Sequence, residues 1–328
     1  MAATQSASKP LRLSNGPVQM SGVSHVEAAK YRTNGVYQYD DSLVEMGTFV
    51  ANNWGYVTFP VGRYTYRMWN LSLIAPALIA TVTDTREAEE VVKTVKIGDY
   101  IDTVIIEING QAKWELTIPE LVKLNAYQNL DTTEGVLRMA FGSPNIHNTD
   151  IVEDAYQFGT GNLKSVRLRV KTKPAWVAGM RLSVACEYAQ VVRPIGYFQT
   201  TTRYAYTNPG VGNFSITDLA VGKDFSTIWV QVAGIKRAKL TVDREKVFDS
   251  TNFQLRSLHD AWGKDMTSLG AGLMFDSFRD GDGVGLDSIA DQLQERSRGA
   301  DVRLDLEMAT AGQTLNVVIF HCGLYAQQ

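Results

Sequence analysis

VIIEINGQAKWELTIPELVKLNAYQ, residues 104–128, contains the pattern that decides the fold of this 328-residue chain. A second stretch at residues 238–262, AKLTVDREKVFDSTNFQLRSLHDAW, repeats its main positions at a constant spacing. An aromatic residue, a threonine, an acid or its amide and two leucines recur: Trp114, Thr117, Glu120, Leu121 and Leu124, then Phe248, Thr251, Gln254, Leu255 and Leu258. We infer an internal duplication, which determines the architecture before any single motif does.

Each copy of this unit predicts a strand, a turn, a second strand and a short helix. Ile106 and Ile108 alternate with polar neighbours, which is the period of a half-buried strand. Asn-Gly at 109–110 is a strong signal for a hairpin turn. Thr117 followed three residues later by Glu120 predicts a capping box that opens a helix, and the second copy repeats the box.

The duplication continues towards the end of each copy. VRLRVKTKPAWVAGMRLSVACEYAQ at residues 166–190 corresponds to VRLDLEMATAGQTLNVVIFHCGLYAQ at residues 302–327. Each segment contains two strand patterns joined by a short loop, so we predict a closing hairpin over residues 165–190 and another over 300–327. The two cysteines, Cys186 and Cys322, lie in these apolar runs and are predicted to be buried small hydrophobic residues without a disulfide.

The pattern as a whole predicts an all-β protein. Short segments rich in Val, Ile, Thr and Tyr alternate with Gly, Asn and Asp, which is typical of a sandwich or barrel. A repeat of this length accommodates eight strands and their loops, the size of a jelly roll. We therefore predict two tandem eight-stranded jelly rolls, each with one short helix, at residues 46–190 and 191–328. An extended N-terminal arm is predicted over residues 1–45.

The duplicated blocks around GQAKWELTIPELVKLNAY and REKVFDSTNFQLRSLHDAW resemble the double jelly-roll major capsid proteins of the tectivirus, corticovirus and adenovirus lineage. Within that lineage the likeness is to icosahedral bacteriophages with an internal membrane, and it covers residues 55–328. The resemblance implies a coat subunit that forms pseudo-hexagonal homotrimers, which tile a virion shell around lipid. It also implies contacts with minor capsid and vertex proteins, and synthesis in the host cytoplasm.

Composition agrees with a protein that packs against copies of itself. The formal net charge is -3, whereas a protein that coats nucleic acid normally carries a large basic excess. We therefore expect no sequence-specific nucleic-acid binding. The most apolar stretch, Trp69–Val82, is shorter than the roughly 20 residues that a membrane span requires, so no span is expected.

The arm carries a local excess of positive charge. Up to residue 39 it contains Lys9, Arg12, Lys30 and Arg32 against Glu27. One interpretation is a solvated tail. The other is an arm beneath the shell that contacts neighbouring subunits or anionic lipid head groups, because basic residues are attracted to such surfaces.

The long connection from Met274 to Asp301 is rich in aspartate and glycine, which raises the alternative of a calcium site. Asp276, Asp280 and Asp287 match three positions of a calcium-binding loop, but no glutamate closes the loop and an oxygen ligand is missing at its third position. An exposed loop at the surface of a capsomer is favoured, with these three aspartates as calcium candidates.

No catalytic or cofactor motif is present in the sequence. The four histidines, His25, His147, His259 and His321, are scattered without metal-ligand spacing, and there is no phosphate-binding loop or nucleophile elbow. We predict a non-enzymatic protein without a cofactor. The alternative is a secreted double jelly-roll protein that binds or cleaves glycans, and the absence of a signal-peptide pattern at the start of the chain argues against it.

Overall fold

In the computed structural model, the described residues are 11–12, 19–22, 37–74, 96–130, 135–141, 157–219, 224–242, 245–276, 284–287 and 302–325. The first part of the chain contains β1 (Leu11–Arg12), β2 (Gln19–Gly22), β3 (Tyr37–Asp40), β4 (Glu45–Met46), β5 (Trp54–Phe59), β6 (Thr65–Ile74), α1 (Ile97–Tyr100), β7 (Ile101–Ile108), β8 (Gln111–Thr117), α2 (Ile118–Tyr127), β9 (Val136–Ala140), β10 (Phe158–Gly159), β11 (Val166–Thr172) and β12 (Arg181–Ala189). The second part contains β13 (Tyr197–Thr207), β14 (Gly212–Ile216), β15 (Asp224–Gln231), β16 (Ile235–Val242), β17 (Glu245–Thr251), α3 (Asn252–Ala261), β18 (Leu273–Asp276), β19 (Val284–Asp287), β20 (Val302–Met308) and β21 (Thr314–Leu324).

The strands form two rolls with the same strand order. In the first roll, β3, β12, β6 and β9 form one antiparallel sheet, and β5, β11, β7 and β8 form the other. In the second roll, β13, β21, β15 and β18 correspond to the first of these sheets, and β14, β20, β16 and β17 to the other. The duplication predicted from the sequence is therefore repeated strand for strand, with eight corresponding strands in each roll.

The local signals in the repeat form the predicted structures. Asn109 and Gly110 have positive φ angles of 53° and 80°, as a tight hairpin turn between β7 and β8 requires. At the start of α2, the Glu120 carboxylate accepts a hydrogen bond from the Thr117 backbone N–H at 2.8 Å, and the Thr117 hydroxyl accepts one from the Glu120 N–H. Thr251 and Gln254 form the same capping box on α3.

The predicted closing hairpins are wrong. β11 and β12 do not pair with each other but lie in opposite sheets of the first roll, and β20 and β21 are separated in the same way in the second. The loops between them cross from one sheet of the sandwich to the other. Alternation of apolar and polar residues predicted the strands correctly, but it contains no information about which neighbour each strand pairs with.

Two apolar clusters fill the rolls. In the first, Trp69 stacks on Phe59 with ring centroids 3.6 Å apart, and both side chains are almost fully buried. The second cluster is built around Leu240, Leu304 and Val317. The first cluster also includes side chains of the second roll, so the core of the first roll is continuous with the contact between the rolls.

Parts of the N-terminal region pair with both rolls. β3 pairs with β12 in the first roll and corresponds to β13 of the second. β2 pairs with β19, which is attached to β15 of the second roll. The domain boundaries at residues 46 and 191 stay a prediction.

Among the described residues, no helix is long and apolar enough to cross a membrane.

Candidate functional site: the seam between the rolls

The two rolls meet along the outward face of the β13–β21–β15–β18 sheet, which packs against β8 and α2 of the first roll. Trp229, Val318 and Phe320 lie on this outward face and are at most 1% exposed. They belong to the same apolar cluster as the core of the first roll. The β-strand edges also meet here, because the Glu115 N–H of β8 donates a 2.8 Å hydrogen bond to the Thr201 hydroxyl of β13. We call this contact the seam.

Glu120 connects the rolls through an ion pair in which the carboxylate is buried and the guanidinium is partly exposed. Arg203 of β13 donates to both carboxylate oxygens, with a distance of 3.1 Å from Nη1 to Oε1, and Gln231 of β15 donates to Oε1 at 2.8 Å. Burial by itself would raise the pKa of the Glu120 carboxyl. The hydrogen bonds from Arg203, Thr117 and Gln231 outweigh burial and hold that pKa below its usual value. The carboxylate therefore stays ionised within the seam.

Tyr127, at the end of α2, is the centre of a second buried polar contact. Its hydroxyl donates to Oδ2 of Asp276 at 2.8 Å and lies 2.8 Å from Nδ1 of His259 on α3. Since a phenol has one proton to donate, it accepts from His259 when it donates to Asp276. Thr227 donates to the other Asp276 oxygen at 3.2 Å, and the Lys264 ammonium lies 5.9 Å from the Tyr127 ring centroid. All five side chains are buried.

This arrangement holds two units in one relative position. Glu115, Glu120 and Tyr127 each bond a side chain of the other roll, as polar groups in stable interfaces do. The cavity at the seam, bordered by Leu124, Gln128 and Phe198, has a volume of only about 30 Å³. That volume is comparable to the share of one water molecule in the liquid, so the cavity is too small for an organic ligand. The chemistry of the seam is that of a permanent interface.

The candidate residues from the sequence lie in different places. Asp276 is the last residue of β18, and its carboxylate is bound by Tyr127 and Thr227. Asp280 lies outside the described residues, as does the side chain of Asp287 in β19. Within the described part of the chain, no three metal-binding side chains cluster. The calcium alternative therefore stays a prediction.

The basic arm residues cannot be placed. Lys9, Lys30 and Arg32 lie outside the described residues, and Arg12 is in β1 with its side chain outside the description. Cys186 is buried as a free thiol, as predicted, and burial raises its pKa above the usual range. The side chain of Cys322 is not among those described.

Sequence reasoning missed the residues of the seam, although the repeat contained a signal for them. The two copies differ where one roll must contact the other. Glu120 corresponds to the amide Gln254, and Tyr127 corresponds to Ala261. A difference between otherwise matched copies marks positions where the environment of the two copies differs. Arg203, Gln231 and Asp276 lie outside the aligned blocks, so the repeat gave no such indication for them.

Replacement of Tyr127 by phenylalanine tests the polar contact at the end of α2. The change keeps the ring and removes the hydroxyl, which leaves His259 and Asp276 without this partner in a buried site. We expect the free energy of unfolding to fall by about 1–3 kcal/mol. Urea denaturation of Y127F at a fixed protein concentration measures this. Tyr56→Phe is the control, because Tyr56 is 40% exposed and lies on a different sheet. Equal stability of Y127F and Y56F would contradict a stabilising role for the hydrogen bonds of the Tyr127 hydroxyl.

Taken together, the strand order, its repetition and the buried seam define a double jelly roll. The resemblance inferred from the duplicated blocks is confirmed by comparison with known proteins. Residues 90–189 match the family model of the viral coat protein P2 N-terminal domain. No curated protein sequence matches the chain.

Solved structures extend this likeness to most of the chain. The major capsid protein P2 of bacteriophage PM2 is similar with a TM-score of 0.71 and 18% identity, over 88% of this chain and 98% of that one. The STIV MCP, from Sulfolobus turreted icosahedral virus, has a TM-score of 0.59 and 10% identity, over 89% of this chain and 98% of that one. The PBCV-1 virus capsid model has a TM-score of 0.52 and 11% identity, over 90% of this chain and 98% of that one. At these identities the likeness establishes the shared double jelly-roll fold.

Proposed function

We propose that this chain is the major capsid protein of an icosahedral bacteriophage and acts as a structural subunit without catalytic activity. The observation that carries the proposal is the duplicated double jelly roll, joined by a buried seam into one building block. The match of residues 90–189 to a viral coat protein domain supports the same conclusion independently of the fold.

We further propose that three copies of the chain form one capsomer. Two similar rolls per chain give six rolls per trimer, so a trimer presents a nearly hexagonal outline to its neighbours in a lattice. The contact between chains belongs to the obligate class, which buries about 2,000 Å² or more. Duplication followed by divergence lets the rolls keep one outline while their contacts differ.

We also propose that the capsomer contacts an internal membrane and other virion proteins. The virion shell encloses an internal membrane, and the arm with Lys9, Arg12, Lys30 and Arg32 lies beneath the shell against lipid head groups or neighbouring subunits. Each basic residue near an anionic surface contributes about 1 kcal/mol. Minor capsid and vertex proteins complete the shell at positions that a trimer cannot fill.

The solution mass of the purified protein tests the trimer. We expect light scattering after size exclusion at micromolar concentration to give a species of three chains, each of 36.3 kDa. Electron microscopy of the same material at higher concentration then tests for hexagonal sheets or shells. A stable monomer across this range would contradict an obligate capsomer.

A further inference from the structure

One sheet of the first roll has a strand that its counterpart in the second roll lacks. β4 (Glu45–Met46) pairs with β5 and extends the β5–β11–β7–β8 sheet to five strands, whereas the corresponding β14–β20–β16–β17 sheet has four. Among the described strands, β14 pairs with β20 alone. The repeat therefore places a covered edge in one roll and an open edge at the same position in the other. We call the open side of β14 the β14 edge.

The length of the preceding connection explains this difference. Residues 41–53 connect β3 to β5, and part of this connection turns back along β5 as β4. Residues 208–211 alone connect β13 to β14. Four residues suffice for a turn between two strands but not for an additional strand. The connection in the second roll therefore cannot supply its own cover.

The backbone of Ser215 faces the β14 edge. In the first roll, the Gly47 N–H donates to the Tyr56 carbonyl at 2.8 Å, so Tyr56 presents its backbone to the covering segment. Ser215 is the counterpart of Tyr56, because Arg169 and Asp305, which correspond in the repeat, are their cross-strand partners. In an antiparallel ladder, the N–H and C=O of one residue point to the same side. Ser215 thus directs both groups to the open side.

The β14 edge lacks the features that usually prevent a strand from pairing further. β14 (Gly212–Ile216) contains neither a charged residue nor a proline, two common protections of edge strands. The side chains of Asn213 and Ser215 are exposed, and the preceding Val211 is 68% exposed. An accessible edge of this kind is a template for an extended segment that adds as a further strand.

The charge beside the β14 edge indicates which kind of segment fits. In the first roll, Glu45 of the covering strand lies opposite Thr58, whose cross-strand partner on the other side is Arg167. Arg303 is the counterpart of Arg167 in the repeat. Its guanidinium donates to the Ser215 hydroxyl at 3.3 Å, which places it next to the edge. An acidic residue at the position of Glu45 would therefore be placed near a cation in the second roll as well.

The predicted N-terminal arm of this chain does not have the required charge. Up to residue 39 it contains four basic residues against Glu27. Arg303 pairs with Asp305 at 2.8 Å, and its side chain is still 54% exposed. Basic side chains beside this exposed guanidinium would be repelled, since like charges across a contact disfavour it. Charge complementarity therefore favours an acidic segment of a different protein over the arm of a second copy.

The apolar side of the β14 edge is already filled by the second roll itself. In the first roll, the ring of Phe49 from the covering segment occupies the space beside Gly55. Phe214 stands at the position of Gly55 in the second roll, and its own side chain packs against the core. The added segment therefore needs backbone hydrogen bonds and an outward charge, but no large apolar residue at this point.

We propose that the β14 edge binds an acidic, extended segment of a different protein, which adds as an antiparallel strand in the way that residues 45–47 cover β5. The inference goes beyond the proposed function, because it assigns a partner site to one roll of the subunit. The covered edge of the first roll supplies the template for the contact, and Arg303 supplies its charge preference.

A peptide with the sequence of the covering segment tests the β14 edge. The probe is fluorescein-labelled DSLVEMGTFV, residues 41–50, titrated with the purified full chain and followed by fluorescence anisotropy. We expect saturable binding that Ser215→Pro weakens about tenfold or more, because proline removes the N–H that faces the edge. Ser215→Thr is the matched control, since it keeps the N–H, and should bind as the unmodified chain does. Circular dichroism and solution mass should be unchanged in both variants.

A charge exchange tests the predicted orientation of the added strand. We expect a peptide with Glu45→Lys to bind the unmodified chain about threefold more weakly than the original peptide, as exposed charge pairs allow. The order of the two peptides should reverse for the Arg303→Glu variant. This reversal requires the peptide residue to lie near Arg303, so it also serves where Ser215→Pro does not fold.

Four results would overturn the proposal and leave the capsid function intact. These are no saturable binding of the peptide, equal binding by S215P, the same order of the two peptides for R303E, and tighter binding of an arm peptide of residues 5–14 than of residues 41–50. A changed solution mass of folded S215P would show that another copy of this chain occupies the edge, which also contradicts a different partner. The capsid function is tested separately by the mass of the unmodified chain.

Discussion

Replacing Glu120 with alanine will lower the free energy of unfolding by about 1.5–3 kcal/mol, because it removes the charge-assisted hydrogen bonds between Glu120 and Arg203, whose guanidinium stays partly solvated. The substitution also removes the acceptor for Gln231 and half of the capping box on α2. Urea denaturation at a fixed protein concentration measures the loss. The concentration must be fixed, since association of chains adds to the apparent stability.

The duplication supplies the control for this experiment. Gln254→Ala removes the corresponding half of the capping box on α3, where the side chain is an uncharged amide, and one such hydrogen bond contributes about 0.5–1.5 kcal/mol. Glu120→Gln separates charge from hydrogen bonding, because it keeps a side-chain oxygen and removes the negative charge. A cost for Glu120→Ala no larger than that for Gln254→Ala would contradict a stabilising ion pair between Glu120 and Arg203.

The same carboxylate makes stability depend on pH. Its pKa in the folded chain is below the usual value, so its contribution is fully present above the pKa of the unfolded chain, about 4.3. The contribution is lost as the pH falls through the folded pKa. We expect Glu120→Gln to lose less stability than the unmodified chain between pH 5 and the acid limit of folding. If the curves of unfolding free energy against pH ran parallel for Glu120→Gln and the unmodified chain, they would contradict a lowered pKa of Glu120 in the folded chain.

The sequence was sufficient for the architecture and not for the contacts between its parts. Local signals such as Asn109-Gly110 and the two capping boxes depend on neighbouring residues, so they were predicted correctly. The closing hairpins were wrong because strand partners are chosen by the closure of the whole sandwich. Tyr127 and Asp276 are 149 residues apart in sequence, and no local pattern indicates that they meet.

The two helices show how far the burial of their leucines could be predicted from the repeat. Leu121 and Leu255 were predicted to be buried from their periodicity, and both are. Leu124 and Leu258 have the same periodicity but differ in exposure, because the other roll covers the Leu124 position of α2 and leaves the Leu258 position of α3 open. Helix amphipathicity predicts a face that can be buried, and the neighbouring molecule or roll decides whether it is.

The buried leucines of the two helices permit a graded test of this packing. We expect Leu121→Ala and Leu255→Ala each to cost about 2–5 kcal/mol, since both side chains are at most 2% exposed. Leu121 already borders the seam cavity of about 30 Å³. A deletion beside an existing void enlarges it, and the cost of such a deletion rises with the volume that remains unfilled. The loss at Leu121 should therefore exceed that at Leu255.

Val177→Ala, at a 54% exposed position, provides the baseline and should change stability by about 0.5 kcal/mol or less. Urea denaturation of the three variants at one protein concentration decides the order. If Leu255→Ala proved the more costly, the cavity beside Leu121 would not add to the cost of deleting that side chain. If neither leucine exceeded the baseline, the helices would not be packed on the rolls as the structure places them, and the seam built on α2 would have to be abandoned.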